Sequence, residues 1–121
     1  MKKNSEVLSA ARELIDTPDK WCKNGYCNAF HTKFCVEGAI AIALTGNIDW
    51  LTDGFPQAVH IRGTYDDLLE EVGSMGAEMM VCSSKRGGYY PRYLNDNPET
   101  EHSDVMALLD KAIAFYQERG E

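Results

Sequence analysis

The chain has 121 residues, of which 44% are hydrophobic and 26% charged, enough for one domain with a real core and too few for two comfortable ones. With 12 Lys and Arg against 19 Asp and Glu, the net charge is −7. Such a surface repels phosphate backbones and anionic lipid, so nucleic-acid and membrane-surface binding are disfavoured, while a basic protein partner suits it.

The first residues, Met1-Lys2-Lys3, lead into no long apolar run, which excludes a signal-peptide core, and no stretch approaches 18 apolar residues. The expected compartment is the cytoplasm. There Cys22, Cys27, Cys35 and Cys82 are expected as reduced thiols or metal ligands rather than disulfides.

Val7, Leu8, Ala11, Leu14 and Ile15 recur at helical spacing and predict a first amphipathic helix, with Asn4 or Ser5 as cap and Pro18 as stop. Residues 19–34 show no sustained period. Their Asn24-Gly25 pair is a turn signal able to join two short strands. The aromatic residues Trp21, Tyr26, Phe30 and Phe34 are too apolar for a free loop and are expected to lie back on the core.

The most apolar stretch runs from Cys35 to Leu44 and predicts a central helix, capped behind by Gly46. After a connection containing Trp50, Phe55 and His60, Thr64 is expected to cap a short helix bearing Tyr65, Leu68, Leu69 and Val72, with Gly73 as its end. Residues 74–92 are ambiguous: Met75, Met79 and Met80 suit a helix or a strand. Tyr89 to Tyr93 is expected to be extended, because Pro91 disfavours helix at Tyr90. The Asn95-Asp96-Asn97-Pro98 turn then feeds a last helix over 103–117, with Asp104 suited to its dipole and His102 expected to face solvent. The expected architecture is a single mainly-α domain over 1–121, with about four helices around the central one and room for a small two-stranded β element.

Four constellations carry possible chemistry. Cys22, Cys27, His31 and Cys35 form three thiols and an imidazole in a span that allows a tetrahedral zinc set, although the spacing matches no zinc finger or knuckle. Cys35 near a helix N-terminus suits a nucleophile, with His31 or His60 as base and Asn95 or Asp96 as orienting group. Packing alone also accounts for buried cysteines. For Asn95 and Asp96, the setting of a turn is sufficient. The fourth is the Arg86, Tyr89, Tyr90, Arg92 and Tyr93 segment, where basic and aromatic residues share a Gly-containing stretch. These types dominate interface hot spots.

The scattered blocks Trp21, then Cys35, Gly38, Ala39 and Ala43, then Asn95, Asp96, Pro98, Asp104, Val105 and Ala112 resemble a family of small domains of unknown function found in bacterial and phage proteins. Cys22 and Cys27 stand outside that pattern, and the Met75-to-Tyr90 region is longer than it. The resemblance carries no activity.

The resulting expectation is a small acidic cytosolic interaction or regulatory protein, without catalysis or cofactor, that binds a protein partner through residues 86–93. By analogy, a phage-encoded inhibitor of a host protein fits the size and charge. The alternatives are a thiol-dependent hydrolase or transferase using Cys35, His60 and Asp96, and a zinc-stabilised binding module. Nothing in the sequence marks an oligomeric state.

Overall fold

The structure, a computed structural model, describes residues 3–23, 32–45, 62–79 and 91–121. Helix α1 spans Asn4–Leu14, α2 Val36–Thr45, α3 Arg62–Met79, the single turn α4 Arg92–Asn95, and α5 His102–Glu118. Among the described residues there is no strand. Trp21 and Phe34 make one isolated parallel bridge. The fold is mainly α, with four helices of ten residues or more among the described residues. The suggested hairpin at Asn24-Gly25 and the Gly46 cap lie outside the described residues.

Helix α1 buries Val7, Leu8 and Ala11 completely, and Ile15 follows them into the core just past its end. Its start differs from expectation. Lys3 is the N-cap, so Asn4 and Ser5 lie inside the helix and cap nothing. The Ser5 N–H is met instead by the main-chain oxygen of Glu121 at 3.0 Å, which removes the need for a side-chain cap there. Pro18 follows the end of α1 at Leu14 and its cap Ile15, as expected of a stop signal. It opens a separate 3₁₀ turn, Pro18–Lys20, at a position where its missing N–H costs nothing.

Helix α2 is the dry centre. Val36, Glu37, Ala39, Ile40 and Ala41 have no exposed surface, and Cys35 and Ala43 are nearly as buried. Small residues along it let α1 pack closely on one side, while α1 also packs on α5. Helix α5 contributes Val105, Leu108, Leu109, Ala112 and Tyr116 to the same core.

Helix α3 corrects two expectations. It runs from Arg62 through Thr64 and Gly73 to Met79, so Thr64 is not its cap and Gly73 does not end it. A glycine inside a helix costs about 1 kcal/mol, and burial of Leu68, Leu69, Val72 and Met75 against α5 exceeds that cost. Gly76 is buried on the side of α3 that faces Leu94 and Leu108. A Cβ there stands 3.5 Å from both Leu108 and Leu94.

The extended reading of 89–93 also fails at its described end, because Arg92 and Tyr93 lie in α4. Proline restricts the residue before it but fits the first turn of a helix. Here the Pro91 carbonyl accepts from the Asn95 N–H at 3.0 Å. Helix α5 begins one residue earlier and ends one later than expected. The Asp104 carboxylate accepts from the Glu101 N–H at 2.8 Å, a cap expected of acidic residues in a first turn. At the other end Gly120 adopts φ 71°, open to glycine without strain. The Gly120 and Glu121 N–H groups donate back to Gln117 and Tyr116, closing a Schellman motif.

Candidate functional site

The blocks that carry the family resemblance lie far apart in sequence and meet at the N-terminus of α2. Their meeting point is Asn95, which has no exposed surface. Its Oδ1 accepts from the Trp21 indole N–H at 2.6 Å. The same oxygen accepts from the Val36 N–H at 3.1 Å. Its Nδ2 donates to the Cys22 carbonyl at 3.1 Å and to Asp96 Oδ1 at 2.9 Å. A carboxamide offers two donors and two acceptor lone pairs, so the capacity of this side chain is filled. Asn95 therefore caps α2 from a distant part of the chain and pins the 21–23 segment beside it. It has no remaining bond with which to orient a catalytic base.

Around this hub the chain is tightly tied. The Phe34 N–H donates to the Lys20 carbonyl at 2.9 Å, and the Cys22 N–H donates to Phe34 at 3.1 Å. The Lys23 ammonium donates to the Asn97 carbonyl at 2.7 Å and lies 5.5 Å from the Trp21 ring centroid, a cation–π distance. The Asn97 carboxamide oxygen accepts from the Glu99 N–H at 2.9 Å, which makes the Asn95–Pro98 stretch the turn its composition implied.

His102 is not solvent-facing. It opens α5 half-buried, its ring tilted against Trp21 at 5.8 Å. Its Nε2 lies 2.6 Å from the Ile15 carbonyl, which requires the proton on that nitrogen. The reason is tertiary: the carbonyl at the end of α1 lacks a helical partner, and His102 supplies one.

Cys35 occupies the N-cap of α2, and its Sγ accepts from the Gly38 N–H at 3.3 Å. Burial pushes the Cys35 thiol up from its usual 9.0 to about 12, against the opposing pull of the Gly38 N–H. Glu37 and Cys22 contribute to that rise. Glu37 is the residue the sequence reading missed. It carries a carboxyl group with no exposed surface, in the first turn of the central helix. A charge set inside the apolar run Val36-Glu37-Gly38-Ala39-Ile40 was the available signal.

Of the other expected site residues, Asp96 is half-buried and engaged by the Asn95 amide. Arg92 and Tyr93 are placed by their backbone in α4. Cys27, His31, His60, Arg86, Tyr89 and Tyr90 lie outside the described residues. Cys22 and Cys35 each follow a residue of the Trp21–Phe34 backbone bridge. Among the described residues, no group of three or more His, Cys, Asp or Glu is placed to hold a metal. Nor is any described helix long and apolar enough to cross a membrane.

A family model covers residues 1–115, nearly the whole chain, Asn95 junction included. The chain belongs to this family, described as a family of unknown function (DUF6197). No curated protein and no solved structure matches the chain. In this DUF6197 chain, Trp21, Cys35 and Asn95 thus act first as the joints of the fold.

Proposed function

We propose that this protein is a small acidic interaction protein that acts in the cytoplasm by binding another protein through residues 86–93. The observation that supports this is how that segment ends. Pro91 and Leu94 are buried, and Asn95 is bonded on every side. A stretch rich in Arg and Tyr is thereby tethered at its C-terminal end to a buried, fully hydrogen-bonded polar joint. Anchored aromatic and Arg side chains lose less entropy on binding than free ones. On α3, the helix preceding this stretch, Asp67 and Glu70 are exposed, which suits a basic partner. A phage-borne inhibitor of a host protein fits this reading by analogy.

The test is capture of a partner from lysate by the full chain and by variants Tyr90→Ala and Arg92→Ala. The expected result is loss of capture in both, with helical circular dichroism unchanged. Capture at the original level by folded variants removes this surface from contention.

A second reading is a zinc-stabilised binding module, favoured by the juxtaposition of Cys22 and Cys35 at the two ends of the segment containing Cys27 and His31. It requires about one zinc per chain in protein never exposed to chelator. Metal content well below that ends it. A hydrolase or transferase built on Cys35 is less supported, because burial holds the sulfur as a thiol. Iodoacetamide labelling across pH separates it. Rapid Cys35 labelling at neutral pH favours the enzyme, and inertness removes it.

A further inference from the structure

We propose that Cys22 and Cys35 are a redox-modification site, able to close a reversible internal disulfide by exchange with a small-molecule disulfide. The geometry rests on two independent ties. The Phe34 N–H bonds the Lys20 carbonyl and the Cys22 N–H bonds the Phe34 carbonyl. That is the pattern of a parallel bridge centred on Trp21 and Phe34, so the next residues in register are Cys22 and Cys35. Neighbouring parallel chains run about 4.8 Å apart, inside the range of roughly 4.4–6.8 Å that Cα atoms of a disulfide span.

The second tie is Asn95. One carboxamide holds both the Cys22 carbonyl and the Val36 N–H, which clamps the backbones of the two cysteines together. In register, Cys22 and Cys35 also project to the same side, opposite to Trp21 and Phe34, because side chains alternate along extended chain.

The two thiols differ in access. Cys22 is half-exposed and Cys35 buried. Cys22 therefore reacts first. Its thiol gives a proton to solvent, and the sulfur attacks one sulfur of the reagent disulfide. The reagent S–S bond breaks, and one half leaves and is protonated to a thiol. Cys35 then loses its proton and attacks Cys22 Sγ in the mixed disulfide. The second half leaves as a thiol. Two electrons pass from the cysteine pair to the reagent, and the protein loses two hydrogens. On reduction, the Gly38 N–H already stands at the Cys35 sulfur to receive the departing thiolate.

The experiment uses the full chain with chelator present, in buffers of graded reduced and oxidised glutathione, followed by acid quench and peptide mapping. The expected product is one internal link between Cys22 and Cys35, reversed by reduced glutathione and retained in the Cys27→Ser and Cys82→Ser variants. Iodoacetamide is expected to label Cys22 about tenfold faster than Cys35, or more, at neutral pH. In Cys35→Ala the reaction is expected to stop at a stable glutathione adduct on Cys22, with circular dichroism confirming the fold. Three results overturn the proposal: a link from Cys22 to Cys27 or Cys82, a stable adduct on Cys22 of the intact chain, or two unreacted thiols in strongly oxidising buffer.

Discussion

Where α1, α2 and α5 meet, Val7, Leu8, Ala39, Ile40, Leu108 and Leu109 are buried without a polar atom among their side chains. Attraction there is spread over many weak contacts, and an apolar side chain of similar volume largely maintains it. At the junction, by contrast, one side chain meets Trp21, Cys22, Val36 and Asp96, each through a single directed bond. The two regions touch at α2, whose body belongs to the first and whose N-terminus belongs to the second. The apolar region tells the chain to collapse, while the polar joint determines where the 21–23 segment and the 95–98 turn sit on the collapsed core. A change of the same size therefore has different consequences in each.

The largest expected effect comes from breaking the joint. Asn95→Ala leaves the Val36 N–H, the Trp21 indole N–H and the Cys22 carbonyl without this partner. Each loss in a buried setting costs about 1–3 kcal/mol, so about 4 kcal/mol in total is expected. Urea denaturation should show a lower midpoint with unchanged slope. A loss under about 1 kcal/mol would mean that water replaces Asn95 and that the joint is not decisive. The matched change in the apolar region is Ile40→Val, expected to cost only about 0.5–1.5 kcal/mol in the same assay.

pH separates the regions in another way. Burial raises the Cys35 thiol from 9.0 to about 12. Burial, together with the hydrogen bond to Glu71, raises the Tyr116 hydroxyl above its ordinary 10.0. Both groups hold their protons more tightly folded than unfolded. The associated stability is full below their unfolded values and is lost as pH climbs through the folded ones. For Cys35 that window runs from pH 9.0 to about 12, with up to about 4 kcal/mol at stake. Stability measured by urea at stepped alkaline pH should fall across this range. Cys35→Ala should flatten the fall. An equally steep fall in that variant would assign alkaline unfolding elsewhere.

The apolar region was largely legible in the sequence, because periodicity reports it directly: α1, α2 and α5 follow the spacing of their buried residues closely. Local breakers misled where tertiary burial outweighed them, as at Gly73 inside α3, or where a proline opened a turn of helix, as at Pro91. The joint was half legible. Composition marked Asn95 to Pro98 as a turn, but the bond from Trp21 to Asn95 spans 74 residues and that from Val36 spans 59. No local pattern encodes a partner at that distance. His102 and Glu37 were missed for the same reason: their burial depends on neighbours contributed by other helices.

Between these extremes stands Tyr116, apolar ring in the core and hydroxyl donating to Glu71 at 2.7 Å. Tyr116→Phe keeps the ring and removes one bond to a surface carboxylate. The expected cost is about 1 kcal/mol, with the alkaline fall in stability reduced.

The smallest effect has the opposite sign. Gly76 is buried in α3 facing α4 and α5, and a methyl there stands 3.5 Å from Leu108 Cδ2 and Leu94 Cβ, ordinary van der Waals contact. Alanine restricts the unfolded chain and favours helix by up to about 1 kcal/mol over glycine. If the apolar region tolerates any side chain of suitable volume, Gly76→Ala raises the urea midpoint by a fraction of that amount. A drop instead would mean that α3 cannot yield against the Leu94 turn, whose position is set by the bonds of Asn95 one residue on. The rigidity of the joint would then extend into the apolar packing beside it.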